Sequence, residues 1–376
     1  MYSSTSCRIE FNVYNRLGMP INYDENGYKI LDIPAEGNFA GKFLPNLMVY
    51  VYSLNKTSHA TSCINKFGCH TDLDRFAGQY IETDKDTFGV VLGHEFNPFI
   101  YRGENNDYEH FIPSAIRYDF SNENERVRHC INYIKKQEFI QVFQETPYYQ
   151  RCEKFRVLNC KFKFDFEAIA QHYEFISNYL DITKDLTVAM FFAYTYQENG
   201  KYYPITDFEK YHPTLYVGNL KNIFSHNADD IRIIGFQSLY RPFLQKAMAI
   251  EIKKEDTIKP LFEKIILPAN KAIAYEIYSR MRGGNSLFPN DYASIMAKDI
   301  KESKFLYREY FEIYCKEHNI NNDEFYKKIE KQGYCLSDQK WGIYDYAKYI
   351  INKELDDNII PFLDNCIALR GYSKPK

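Results

Sequence analysis

The sequence lacks several features that would assign it to a broad class of protein. No stretch approaches the roughly 18 consecutive apolar residues of a membrane-spanning helix, so we expect no contact with a membrane. Basic residues do not predominate, because 47 Lys and Arg stand against 50 Asp and Glu, for a formal net charge of −3. No global positive field therefore points to nucleic acid, and a local basic groove stays open as an alternative.

The chain also lacks the marks of a secreted protein. Its first 18 residues carry no basic start followed by an apolar core, so they predict no secretory signal. The nine cysteines are an odd number at irregular spacing, which favours reduced thiols and a cytoplasmic location. The stretch CINKFGCH, from Cys63 to His70, separates its cysteines by five residues and has no second Cys/His pair, so we expect no metal site.

Common catalytic motifs are missing as well. Neither a P-loop nor a dinucleotide-binding GxGxxG follows a predicted strand, and the chain contains no GxSxG. Aromatic residues, by contrast, are abundant, with 34 Tyr and 29 Phe beside a single Trp. They run along the whole chain, which favours a core and half-buried surface over a base-stacking platform.

Periodicity predicts strands, then helices, then more strands and more helices. This order favours an α+β fold over a regularly alternating parallel sheet. Helices are predicted at 124–145, in FEAIAQHYEFI and in DITKDLTVAMFFAYTY, with Thr183 capping the last of these. Strands are predicted at 46–55, twice within TFGVVLGHEFNPFIYRG, and at 212–220, 231–236, 246–254 and 262–268. We expect a mixed N-terminal region (1–95) packing on a core domain (96–296), and a C-terminal helical subdomain (297–376).

The residues that can carry chemistry lie in short spaced blocks. FIYRGE ends a strand with Arg102, whose planar fork of donors suits phosphate or carboxylate, and Gly103 beside it permits a close approach. The blocks that follow are PSAIR (113–117), AQHY (170–173), LDIT (180–183), VAMFFA (188–193), YRPFLQ (240–245) and LFPND (287–291).

In this order the blocks resemble the FRG domain family, named for a Phe/Tyr-Arg-Gly stretch that is Tyr101-Arg102-Gly103 here. The resemblance covers about residues 96–296. Three positions depart from the family pattern: Glu174 replaces a glycine, Asn178 an arginine and Ile182 a tryptophan. The resemblance therefore implies a divergent member.

The FRG pattern in turn resembles the ADP-ribosyltransferase fold, a split antiparallel sheet whose enzymes cleave NAD. This implies an NAD-consuming enzyme, an ADP-ribosyltransferase or NAD glycohydrolase, with an unknown protein or nucleic-acid acceptor and a toxin or antiviral defence setting. The implied catalytic residues are Arg102, Asp181, Thr183 and Gln245. The implied nucleotide-binding residues are Tyr101, Gly103, Arg117, Gln171, His172, Tyr173 and Arg241.

The chemistry assigns each group a role. Arg102 would hold a phosphate or ribose oxygen, Thr183 the nicotinamide ribose, and Gln245 the ribose 2′-hydroxyl. Either Tyr101 or Tyr173 would stack on the nicotinamide ring.

One objection is that the neutral Gln245 cannot offset the positive charge that develops on the ribose. Asp181 or Glu251 would then have to supply the anion; otherwise the protein binds NAD-like ligands without turnover, as a nucleotide-sensing or interaction module. Structural roles stay open too: Arg102 as an internal salt-bridge partner, Asp181 at a helix start, and Gln245 as a buried amide.

Overall fold

The computed structural model describes residues 99–146, 149–150, 153, 164–219, 239–252 and 258–342, together with the backbone of the shorter strands outside these ranges. The predicted strand at 46–55 and the Cys63–His70 stretch lie outside the described residues.

The described strands and helices follow one another in mixed order. The strands are β1 (Ile21–Tyr23), β2 (Lys29–Leu31), β3 (Gly78–Asp84), β4 (Thr87–Leu92), β5 (Phe99–Glu104), β6 (Arg156–Val157), β7 (Cys160–Phe162), β8 (Tyr179–Thr183), β9 (Thr195–Glu198), β10 (Lys201–Pro204), β11 (Thr214–Asn219), β12 (Ile231–Ile233), β13 (Ala247–Glu251), β14 (Phe262–Ile266), β15 (Phe305–Tyr307), β16 (Cys335–Ser337) and β17 (Arg370–Tyr372). The α-helices are α1 (Glu123–Gln144), α2 (Phe166–His172), α3 (Leu186–Tyr194), α4 (Tyr240–Leu244), α5 (Lys271–Arg280), α6 (Tyr292–Glu302), α7 (Arg308–Glu317) and α8 (Asn322–Lys331).

A mixed, mainly antiparallel sheet forms the centre of the molecule. Its strand order is β1-β2-β14-β11-β5-β8-β13-β12, and all its pairs are antiparallel except β2 with β14. A second sheet has the order β17-β3-β4-β7-β6. The predicted α+β class is thus confirmed, as are the strands predicted around β4, β5, β11, β12, β13 and β14.

The middle of the central sheet is interrupted between β5 and β8. These neighbours share a single paired position, Tyr101 opposite Thr183, whereas β5 pairs with β11 along its whole length. The two strands therefore part beyond that position, and the sheet opens there.

Strand β5 packs closely against helix α3. A Cβ built on Gly103 would lie 1.7 Å from the backbone oxygen of Ala189 and 2.9 Å from the backbone nitrogen of Ala193. A glycine is required here because the helix backbone occupies the space that any side chain would need. The small residues of α3 allow the same approach from the other side.

Helix α1 is the longest described helix and contacts two parts of the core. Asn122 caps it by accepting hydrogen bonds from the backbone N–H groups of Asn124 and Glu125. Its C-terminal half contributes Phe139 and Phe143 to the cluster that contains α2 and α6. Its N-terminal half belongs to a separate cluster with α7 and α8. The helix predicted at 124–145 is confirmed.

The segment between α2 and α3 differs from its prediction. Residues 179–183 form strand β8, because they pair with β13 from Glu251 to Ala247. Helix α3 starts only at Leu186, and Asp185 caps it by accepting from the N–H groups of Thr187 and Val188. The prediction that Thr183 is the N-cap was therefore wrong.

The C-terminal part of the described chain is largely helical, as predicted. Strand β15 precedes α7 and strand β16 follows α8, and these two strands form a parallel pair. The predicted boundary at 296/297 falls inside α6, whose Tyr292, Met296 and Ile300 are buried in the same cluster as α1 and α2. None of the helices in the described part of the chain combines the length and apolarity that crossing a bilayer would require.

Candidate functional site

A cleft of about 650 Å³ opens where β5 and β8 part. Arg102 from β5, Thr183 from β8 and Gln245 from the turn before β13 all line it. The three groups that the sequence analysis assigned to one site therefore meet at one solvent-reachable hollow. Its volume is in the range typical of small-molecule sites.

Arg102 spans the gap between the two strands. Its Nη1 donates a 2.8 Å hydrogen bond to the backbone oxygen of Asp181, and its Nε donates a 2.9 Å bond to Glu104 Oε1. The guanidinium carbon lies 5.5 Å from the ring centre of Phe111. The internal salt bridge considered for this residue is thus present, and it fixes the orientation of the guanidinium inside the cleft.

Glu104 is a cleft residue that the sequence analysis did not select. Its side chain is 6% exposed, and its Oε2 accepts no hydrogen bond from the described residues. Alternation along a strand puts residues two apart on one face, so FIYRGE already placed Glu104 beside Arg102. That periodicity was the signal that could have identified it.

Asp181 lies across the gap from Glu104 and is half exposed. Its Oδ1 accepts a 2.7 Å hydrogen bond from Gln171 Nε2 and lies 3.6 Å from His172 Nε2. Asp181 is in a strand and caps no helix, which removes the helix-start explanation for it. Gln171 itself lines a smaller adjoining hollow of about 280 Å³ that also contacts Arg102 and Asp181.

Gln245 lines the cleft, but its polar atoms are already engaged. Its Nε2 donates to the backbone oxygen of Leu287 (3.0 Å), and its Oε1 faces His172 Nδ1 (3.0 Å). Thr183 is engaged too, since its Oγ1 donates to the Gln245 backbone oxygen and accepts from the Asp185 N–H. Both residues are buried, so they shape the cleft floor and tie its elements together.

Three predicted nucleotide-binding residues are absent from the cleft lining: Gln171, which lines the adjoining hollow, Tyr173 and Arg241. Tyr173 is fully buried, and its hydroxyl donates a 2.8 Å hydrogen bond to Asp291 Oδ2. Arg241 lies 5.2 Å over the Tyr173 ring and donates to the backbone oxygen of His172. The stacking role predicted for Tyr173 is therefore wrong. Tyr173 and Arg241 together brace the end of α2, and the ligand contact of Arg241 stays a prediction.

The other predicted residues line the cleft with partners of their own. Tyr101 is 1% exposed, with its ring in the cluster formed with α3. The backbone of α3 occupies the space where a side chain at Gly103 would lie, as described above. Arg117 ends a 3₁₀ turn, Ser114–Arg117, and its guanidinium donates twice to the backbone oxygen of Ile112. Arg117 thus shapes this turn at the rim of the cleft.

An aromatic wall faces the charged groups. Phe192 and Tyr202 line the cleft, and the Tyr202 ring stacks on Phe288 at 5.0 Å. Burial, with the negative charges of Glu174 and Asp181 nearby, raises the pKa of Tyr202 above its usual value. Its phenol is therefore neutral and a hydrogen-bond donor near neutral pH. At the opposite rim Tyr108 is 51% exposed.

No group of three or more His, Cys, Asp or Glu side chains in the described ranges is arranged to hold a metal ion. Among the groups that line the cleft are the fixed guanidinium of Arg102, the carboxylates of Glu104 and Asp181, the buried imidazole of His172 and an aromatic wall. Such a set suits a ligand with an anionic part, a sugar and a flat ring.

Comparison with known proteins gives one match. Residues 97–201 match the sequence model of the FRG domain, as the motifs predicted. Arg102, His172 and Asp181 lie within the match, whereas Gln245 and the LFPND block lie beyond it. A search of curated proteins found no match. A search of solved structures found none either.

Proposed function

Because residues 97–201 match the sequence model of the FRG domain, we propose that the cleft binds NAD and cleaves the bond between nicotinamide and ribose. The enzyme is then an ADP-ribosyltransferase or an NAD glycohydrolase, according to whether a macromolecule or water accepts the ribose. The observation that carries the proposal is the convergence of Arg102, Glu104 and Asp181 at one open cleft.

The reaction makes defined demands on such a cleft. The C1′–N bond breaks, its electron pair leaves on the ring nitrogen, and nicotinamide departs as a neutral molecule. An oxygen nucleophile then forms a bond to C1′ and gives its proton to a base. Positive charge develops on the ribose in between, and preorganised groups of opposite charge are the largest source of stabilisation for such a state.

Glu104 and Asp181 supply the negative charge that the neutral Gln245 lacks. Both carboxylates line the cleft, whereas Glu251 does not. One preorganised electrostatic contact contributes about 3 kcal/mol to catalysis, which corresponds to a rate factor of about 100 or more. We assign the anionic support of the ribosyl cation to these two residues.

Arg102 holds the anionic part of the ligand. A guanidinium forms bidentate, charge-assisted hydrogen bonds to diphosphate oxygens, and two of the nitrogens here are already fixed by Glu104 and by the Asp181 carbonyl. Its orientation is therefore set before the ligand arrives, which reduces the entropy lost on binding. Phe192 and Tyr202 then offer an apolar wall to the nicotinamide ring.

The direct test measures nicotinamide release from NAD by the purified chain. We expect release by the wild type and a loss of at least about 100-fold in Arg102→Ala. The isosteric changes Glu104→Gln and Asp181→Asn test the carboxylates with little change of shape. Arg280→Ala is the matched control, because Arg280 is a surface arginine of α5 paired with Glu276.

A second function, nucleotide sensing without turnover, is favoured by one observation. Gln245, in the place expected for an anion, is a neutral amide whose Oε1 faces His172 and whose Nε2 donates to Leu287. Saturable binding of NAD without release of nicotinamide supports this alternative. Absence of NAD binding rules out both functions.

A further inference from the structure

A hydrogen-bond chain in the cleft floor sets the tautomer of His172. The chain starts at the Leu287 carbonyl, which can only accept, so the Gln245 side-chain atom facing it must be the amide nitrogen. The other amide atom, Oε1, then faces His172 Nδ1 at 3.0 Å. Because Oε1 can only accept, Nδ1 must carry a proton. The Leu287 carbonyl therefore sets, through Gln245, both the orientation of the His172 ring and the ring nitrogen that carries the proton.

The other ring nitrogen, Nε2, faces Asp181 Oδ1 without a hydrogen bond. The His172 side chain is 4% exposed and lines the cleft, and Nε2 makes no hydrogen bond to the described residues. In the neutral ring Nε2 is an acceptor, and it lies 3.6 Å from another acceptor, Asp181 Oδ1. Two buried or half-buried acceptors facing each other are unfavourable unless a donor lies between them.

We propose that this pair of acceptors binds the vicinal hydroxyls of a ribose, one hydroxyl donating to His172 Nε2 and the next to Asp181 Oδ1. The inference rests on the proposed function in that the ribose is the one attached to nicotinamide. A diol supplies two donors on adjacent carbons, which matches two acceptors 3.6 Å apart. A phosphate or a carboxylate offers no donor and does not fit.

This arrangement changes the role of Gln245. The sequence predicts that Gln245 holds the ribose 2′-hydroxyl, but both polar atoms of its amide already have protein partners, His172 and Leu287. Gln245 is a positioning residue that acts through His172, by keeping the proton on Nδ1. Hydrogen bonds to the hydroxyl beside the reacting carbon strengthen in the transition state of glycoside cleavage, so the effect appears in turnover as well as in binding.

The test compares NAD with analogues that lack the 2′- or the 3′-hydroxyl of the nicotinamide ribose. For the wild type we expect each analogue to lose about 10- to 100-fold in kcat/KM, because the analogue lacks a hydroxyl that donates to His172 Nε2 or to Asp181 Oδ1. In His172→Ala, the kcat/KM values for NAD and for the analogue that lacks the hydroxyl bound by His172 should agree within about threefold. Gln245→Leu should lose the same discrimination, although Gln245 touches no ligand.

The controls separate this inference from a general loss of structure. His212→Ala removes an exposed histidine outside the cleft lining and should keep the wild-type discrimination. Gln245→Glu, which retains an acceptor for Nδ1–H, should restore it in part. Discrimination that persists unchanged in His172→Ala, in a protein with a wild-type melting temperature, overturns the inference.

The two proposals can fail separately. If the wild type releases no nicotinamide, the proposed function fails, and the ribose site is then measured by titration with ADP-ribose. Loss of ADP-ribose affinity in His172→Ala and Gln245→Leu, but not in His212→Ala, still supports the site. Equal affinity for ADP-ribose in all four proteins overturns it.

Discussion

At the scale of single residues, backbone conformation explains one of the departures from the FRG pattern. Glu174 occupies the position of a family glycine and has a φ of 67°. It follows the C-cap of α2, where the N–H of Phe175 bonds the Ala170 carbonyl and the N–H of Glu174 bonds the Gln171 carbonyl. This is a Schellman arrangement, which favours glycine because other residues are strained at positive φ. Here the glutamate side chain is held by Lys301 at 2.9 Å.

The first prediction concerns this position. We expect Glu174→Gly to be more stable than Glu174→Ala by about 1 kcal/mol, because both lose the Lys301 contact but only glycine relieves the left-handed backbone. Chemical denaturation of the two variants measures the difference. At an ordinary helical position the order is the reverse, so Ala equal to or above Gly contradicts the conformational explanation.

The second prediction concerns Gly103 and its contact with α3. Gly103→Ala should destabilise the fold by about 3 kcal/mol or more, because the new methyl group meets backbone atoms of Ala189 that no rotamer change can move. Gly342 is the matched control, since a Cβ there has no neighbour within 4 Å. Gly342→Ala should stay within about 0.5 kcal/mol of the wild type. Comparable losses for both variants would refute the packing explanation.

At the scale of elements, local patterns predicted helices and most strands but failed where tertiary pairing decides. Helix α3 was predictable from the spacing of Leu186, Ala189, Met190 and Ala193. Its start was not, because Thr183 and Asp185 are both good capping residues, two positions apart. Pairing of Thr183 with Ala247 of β13 settles the choice, and no local pattern in this stretch contains that information.

The candidate site was predictable only in part, for a similar reason. Arg102 and the Asp181 carbonyl are 79 residues apart, and His172 and Gln245 are 73 apart, so spacing alone does not bring them together. The order of the FRG blocks placed these residues in one site. It did not indicate which polar atoms would be free, because that depends on the hydrogen bonds of the folded chain.

The third prediction tests the start of α3. Asp185→Ala should lose about 1 kcal/mol of unfolding free energy, because the N–H groups of Thr187 and Val188 lose their acceptor. Asp185→Asn keeps an acceptor oxygen and gives up only the contact with Lys246, at 3.2 Å, so its loss should be smaller. Thermal and urea unfolding of both variants provide the comparison. If Thr183 capped the helix, both changes at Asp185 would have equally small effects.

At the scale of the whole molecule, two buried ionisable side chains on α1 connect the core to the C-terminal part of the described chain. Lys135 Nζ donates to the backbone oxygens of Ile300, Lys301 and Ser303. It thereby gives a hydrogen-bond donor to the carbonyl groups at the C-terminal end of α6. One turn later Glu138 Oε1 accepts the N–H of Tyr307, the last residue of β15. A buried charge is costly without such partners, so these contacts fix where β15 and the helices after it pack.

The last prediction follows from the titration of Glu138. Burial raises the pKa of Glu138 from 4.5 to about 7, against the opposing effect of the Tyr307 N–H. Between pH 4.5 and pH 7 the folded chain therefore keeps a proton on Glu138 that the unfolded chain releases. The free energy of unfolding that this proton contributes is fully present below pH 4.5 and is lost as the pH rises through 7. Burial also lowers the pKa of Lys135 from 10.5 to about 8, so that residue changes stability only at higher pH.

Glu138→Gln keeps an acceptor for the Tyr307 N–H but cannot ionise. We expect its unfolding free energy to rise relative to the wild type by roughly 1–3 kcal/mol between pH 5 and pH 8, measured by urea denaturation at each pH. Glu145→Gln, at the exposed C-terminal end of the same helix, should follow the wild-type profile throughout. A Glu138→Gln profile parallel to the wild type would show that Glu138 is ionised over the whole range, and that the contact between α1 and β15 tolerates its charge.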